Sequence, residues 1–170
     1  FKYNASTETT EIGEILNELI KNESVIKDFH SNKTYLRFQP NFLYENSEKL
    51  IQNGLLTSLD NLKDNWVYLF EFNVRNSFVK FDLKIGRGDQ KIREKLYNIY
   101  SKNKNFFQRM GKKEIAPEWH LSFQKMILTQ DEILSFMESG DTENVREIIT
   151  ARFRNLIDND LAKYIQIINE

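Results

Sequence analysis

Apolar and polar residues alternate most regularly in the middle of the chain. Trp66, Tyr68, Phe70, Phe72 and Val74 fall on every second position, and so do Val79, Phe81, Leu83 and Ile85 after the polar turn Arg75-Asn76-Ser77. Side chains alternate across a strand, so this pattern predicts an antiparallel hairpin with one face in the core. The other face carries Val67, Leu69, Glu71 and Asn73 on the first strand and Lys80, Asp82 and Lys84 on the second. Thr34 to Gln39 predicts an earlier strand stopped by Pro40. Trp119, Leu121 and Phe123 alternate with His120, Ser122 and Gln124 in a fourth strand, with a phase break at Lys125 that predicts a bulge. This spacing puts His120 on the face opposite the core, and His30 reads as part of a polar loop.

Helical spacing governs the rest. Ile12, Ile15, Leu16, Leu19 and Ile20 predict a helix over 11–22 with Thr10 as its cap. Ser47 opens a short helix to Gln52, closed by Gly54. Asp89 caps a helix whose buried stripe is Ile92, Leu96, Ile99 and Tyr100. The tail 131–170 gives a short helix ending near Gly140 and a long one from Thr142, interrupted at Asp158-Asn159-Asp160. The order α-β-α-β-β-α-β-α-α is an α+β fold, with a mainly antiparallel sheet of about four strands, in one domain spanning 1–170.

Composition narrows the chemistry. The 170 residues include no Cys and only two His, which removes disulfides, thiol catalysis and Cys-based zinc sites. No apolar run reaches the roughly 20 residues that cross a bilayer, and the N-terminus lacks a signal-peptide layout. The expectation is a cytoplasmic protein with no membrane partner. Phe1 in place of Met suggests a fragment of a longer protein. No phosphate-loop, zincin, dinucleotide or nucleophile-elbow motif occurs. Arg87-Gly88-Asp89 is explained by a strand end, a tight turn and a helix cap.

The net charge of −1 is unevenly spread. Residues 80–125 hold 12 basic against 5 acidic side chains, whereas the segments on either side are acidic. Lys84, Arg87, Lys91, Arg93 and Lys95 gather around the Gly86/Gly88 turn, where backbone amides and a helix start favour a phosphate or nucleic acid. Asp89 competes for the same amides. Phe106 and Phe107, in the basic loop, are placed either to stack bases or to anchor the loop to the core. A second constellation is Asp82-x-Lys84, whose side chains share a strand face. Metal-dependent nucleases use such a pair with a further acid, for which Glu71 and Asp64 are available, around a Mg²⁺ ion. Apart from that alternative, no cofactor is expected. Tyr164, Ile165 and Ile168 in the tail are placed to dock on the core or on a second copy of the chain.

Several stretches together resemble a known family. They are Tyr35-Leu36-Arg37-Phe38 with Pro40, Tyr68-Leu69-Phe70-Glu71-Phe72, and Leu83 to Asp89 followed by Ile92-Arg93-Glu94-Lys95-Leu96. Pro117-Glu118-Trp119 and Lys125-Met126-Ile127-Leu128 before Asp131-Glu132 complete the set. In this order they are similar to the C-terminal region of bacterial proteins of the PD-(D/E)XK nuclease superfamily, over about residues 30–168. In such proteins the nuclease motifs lie N-terminal to this region. The resemblance therefore implies an accessory domain, non-catalytic by itself, that binds DNA or a partner such as an upstream nuclease domain. No Pro-Asp followed by a Glu-x-Lys strand is present, so no catalytic residue carries over, and Asp82 and Lys84 would be coincidental under it.

Overall fold

The structure is a computed structural model that describes residues 7–32, 34–58, 66–111 and 114–170. Among the described residues, five strands form one antiparallel sheet in chain order: β1 Ile26–Ser31, β2 Tyr35–Pro40, β3 Tyr68–Val74, β4 Val79–Ile85 and β5 His120–Leu128. Each strand thus pairs with its neighbours in sequence. Helices α1 Thr7–Lys21, α2 Phe42–Glu45, α3 Ser47–Gln52, α4 Gln90–Ser101, α5 Gln130–Ser139, α6 Thr142–Asn155 and α7 Ala162–Asn169 complete the fold. The expected α+β class is observed, with one strand more than expected.

The extra strand is β1. A bulge between Ile26 and Asp28 lets Ile26 pair with Pro40 and Phe29 with Phe38, so these apolar residues stand three apart instead of two. The bulge removes the period-two signature and makes the segment read as a loop. Helix α1 starts at Thr7, ahead of the expected cap at Thr10.

One sheet face packs the core. Phe38, Phe70, Phe72, Phe81 and Phe123 form a continuous aromatic layer, with ring centroids 5.4–6.4 Å apart from one neighbour to the next. The helical tail lies on it: Phe153 of α6 meets Phe72, and Tyr164 of α7 meets Phe70 edge-on. Tyr164 and Ile168 are buried against the chain's own core. The Tyr164 and Tyr100 hydroxyls share a 2.6 Å hydrogen bond, and burial raises the pKa of both phenols. The interruption at 158–160 is a π-helical stretch, Leu156–Leu161. Its extra residue per turn lets Leu156, Ile157 and Leu161 all be buried while Asp160 reaches Lys125 at 2.6 Å.

The helix ends follow ordinary capping physics. Asp89 accepts hydrogen bonds from the backbone amides of Lys91 and Ile92. Thr129 and Glu132 form a reciprocal capping box on α5, and Gly140 ends that helix at φ +65°. Among the described residues, no helix is long and apolar enough to cross a membrane.

The irregularities in β5 differ from the expected bulge at Lys125. Register shifts fall where Leu83 pairs with Phe123 but Lys84 with Leu121, and where Val79 pairs with Leu128 but Lys80 with Met126. Ser122 and Ile127 are therefore the extra residues. The first shift sends Leu121 and Phe123 to opposite faces and turns His120, paired with Ile85, toward the core side. There His120 is buried beside Tyr97, and its Nδ1 accepts the Ala116 amide. The expectation that His120 lies opposite the core is thus corrected by the Ser122 bulge.

Candidate nucleic-acid interface

The second sheet face carries the polar half of the hairpin, and strand register aligns its residues in cross-sheet rows. One cross-sheet row runs His30, Arg37, Glu71, Asp82, Gln124, each residue the direct partner of the next. The adjoining rows are Tyr35, Asn73, Lys80, Met126 on one side and Leu69, Lys84, Leu121 on the other. In-register partners on one face lie close enough for their side chains to interact directly.

Acids form the floor of this face and cations its upper layer. Glu71 is fully buried; its Oε2 accepts from Arg37 Nε at 2.8 Å and its Oε1 from Lys84 Nζ at 2.5 Å. Asp82 is also buried, and its oxygens accept from Asn73 Nδ2 at 3.1 Å and Gln124 Nε2 at 2.8 Å, with Lys84 Nζ at 3.9 Å. Gln124 is oriented in turn by Arg109, which donates to its Oε1 at 2.8 Å. A buried carboxylate is tolerated only when paired and hydrogen-bonded, and each of these has both oxygens engaged. The consequence is positional: the two acids hold Arg37 and Lys84 at fixed points on the surface.

Above them runs a diagonal ladder of cations and aromatic rings. Arg75 lies 5.0 Å from the Tyr35 ring, Arg37 lies 5.1 Å from Tyr35 and 5.5 Å from Trp119, and Arg87 lies 5.4 Å from Trp119. Arg75 also donates to the Tyr35 hydroxyl at 3.0 Å. Each guanidinium sits within the distance at which a ring quadrupole attracts a cation. Lys80 extends the basic surface toward the Phe78 ring at 4.3 Å. Trp119 and Met126 are both exposed, two of the few large apolar side chains that are so among the described residues.

Trp119 is held in place by a compact corner. Gly86 leaves no room for a side chain: a Cβ there would lie 1.9 Å from the Trp66 carbonyl oxygen and 3.1 Å from Trp119. Arg93 is buried and donates to the carbonyls of Gly86 at 2.7 Å and Ala116 at 2.8 Å, tying the loop before β5 to the end of β4. Its desolvation lowers its pKa.

The five cations expected to converge on a phosphate are dispersed by this arrangement. Lys84 is bound to Glu71, and Arg93 is internal. Lys95 donates to the Asn53 carbonyl at 3.2 Å on another side of α4, and the first amides of α4 are taken by Asp89. Arg87 and Lys91 are exposed, and Arg87 pairs with Glu118 at 2.9 Å. Phe106 stacks on Phe123 and Phe107 on Tyr100, so both anchor their loop to the core. Sequence reasoning had no means of finding Tyr35, Arg37, Arg75 and Trp119 as a group, because they come from three separate segments joined only by register.

The acid–lysine constellation does assemble: Glu71, Asp82 and Lys84 are neighbours, while Asp64 lies outside the described residues. Their oxygens, however, face donors of the chain itself, a poor donor set for a hard divalent cation that needs several carboxylate oxygens. Among the described residues, no group of three or more His, Asp or Glu side chains is arranged to hold a metal ion.

Comparison of the chain with protein-family models, curated proteins and solved structures finds no match.

Proposed function

We propose that this chain is a non-catalytic nucleic-acid-binding domain and that the polar face of its sheet, with its rim of cations and rings, is the binding surface. The observation that carries this reading is the ladder Arg75–Tyr35–Arg37–Trp119–Arg87, laid over buried acids that fix its central cation. Guanidinium groups suit phosphate oxygens, and aromatic faces suit bases. Lys80 and Arg109 add positive charge around the ladder, whereas Glu71 and Asp82 are withdrawn beneath it. An accessory role beside a nuclease, which the resemblance of the sequence landmarks to the C-terminal region of PD-(D/E)XK proteins implies, is part of this proposal. One observation favours a second reading, the meeting of Glu71, Asp82 and Lys84. A metal would have to displace Arg37, Lys84, Asn73 and Gln124 from the acids, which is why binding is preferred to cleavage.

The test is fluorescence anisotropy with a labelled oligonucleotide of about 20 nucleotides, titrated at low and moderate salt. With about four phosphate contacts, affinity falls roughly 50- to 150-fold from 50 to 200 mM salt. The double variant Arg75→Glu/Arg87→Glu loses more than about tenfold in affinity, whereas Lys91→Glu/Lys95→Glu stays within a factor of about two. Absence of binding at low salt, or binding indifferent to salt, refutes the proposal. Metal-dependent nicking that Asp82→Ala abolishes establishes the second reading instead.

A further inference from the structure

We infer that the nucleic acid taken by this face is single-stranded, with a base stacked on the Trp119 indole; the inference rests on the binding role proposed above. Three observations select the strandedness. Trp119 is 37% exposed at the rim of the face, and Tyr35 is half-buried within it, so the platform offers aromatic surface as well as charge. A duplex keeps its base faces stacked inside and presents phosphates and groove edges, so it gains nothing from an indole lying on a sheet. A single strand presents both bases and phosphates, and a base on an aromatic side chain strengthens binding by about 5- to 160-fold.

The second observation is the shape of the face. Reading the major groove of a duplex takes a helix or a two-stranded ribbon that protrudes into it. Here the described strands lie side by side in one sheet, and the nearby helix α4 starts with the amides of Lys91 and Ile92 occupied by Asp89. The third is the alternation itself. Arg75, Tyr35, Arg37, Trp119 and Arg87 interleave cations with rings, as a single strand interleaves phosphates with bases. Arg87, with 63% of its side chain exposed and tied to Glu118 across water-accessible surface, moves off the indole at little cost and uncovers the ring for a base.

The experiment compares anisotropy-detected binding of a labelled single strand with that of the duplex of the same sequence, at one low salt concentration. The single strand binds at least about tenfold tighter. Trp119→Ala weakens single-strand binding by about 30-fold, the middle of the stacking range, and leaves duplex binding within about twofold. Trp119→Phe, which keeps an aromatic face, stays within about threefold of wild type and shows that the Ala result is not a folding defect. Equal or tighter duplex binding, or equal losses on both substrates in Trp119→Ala, overturns the single-strand assignment while leaving the binding role intact. No binding to either substrate overturns the binding role as well.

Discussion

Replacing Glu71 by Gln tests the layered charge arrangement most sharply. The amide matches the carboxylate in size, so packing is conserved, but it changes both contacts. Its oxygen still accepts from Arg37 Nε. Its NH2 group then faces the Lys84 ammonium at the 2.5 Å now occupied by an ion pair, donor against donor. Removing one partner of a buried ion pair typically costs 3–5 kcal/mol. That range is reduced here because the Arg37 and Lys84 side chains are 31% and 21% exposed and can turn partly toward water. A loss of about 2 kcal/mol follows, equivalent to a melting temperature lower by about 4–8 °C for a chain of this length. Urea denaturation followed by circular dichroism measures it. Pairing the change with Lys84→Met isolates the interaction: once the stranded ammonium is removed, the double variant recovers about 1 kcal/mol or more relative to additivity. A Glu71→Gln protein within about 0.5 kcal/mol of wild type would refute the claim that the buried acid holds the cations.

Gly86→Ala drives a Cβ into the Trp66 carbonyl and breaks the 3.1 Å hydrogen bond from the Gly86 amide to Val67, so stability falls by roughly 3 kcal/mol or more in the same assay; an unchanged midpoint contradicts that packing. Glu132 is held down to a pKa of about 2, chiefly by its hydrogen bond from Arg152, with the Thr129 cap assisting. A folded-state pKa below the ordinary 4.5 means that this stabilisation is complete above about pH 4.5 and is lost as pH falls toward 2. Wild type is therefore more stable than Glu132→Gln at neutral pH, and the two converge near pH 2; a constant gap across that range counts against the pairing.

What the sequence made legible, and what it did not, has a physical explanation. The β3–β4 hairpin, α3, the Asp89 cap and the tail helices are local, written in period, caps and turn residues. β1 was hidden because its bulge spaces Ile26 and Phe29 like neither a strand nor a long helix. In the site, strand alternation was enough to place Glu71, Asp82 and Lys84 on one face. It did not reveal that Arg37, Asn73 and Gln124 donate hydrogen bonds to their oxygens, since those contacts depend on the order of strands in the sheet. Arg93 had the composition of a phosphate ligand, but its guanidinium is spent on the carbonyls of Gly86 and Ala116, a tertiary contact without a local signal. Trp119 emerged as the exposed aromatic only once the Ser122 bulge had split the expected alternation of β5.

The central claim is that the polar sheet face is the binding surface, and mapping amide shifts by NMR during titration with a single-stranded oligonucleotide tests it most directly. The account predicts that the shifted amides cluster at Tyr35, Arg37, Lys80, Arg87, Trp119 and Gln124, together with the Trp119 indole N–H. Shifts confined to the α4 cations Lys91 and Lys95, or to the tail helices, would contradict it.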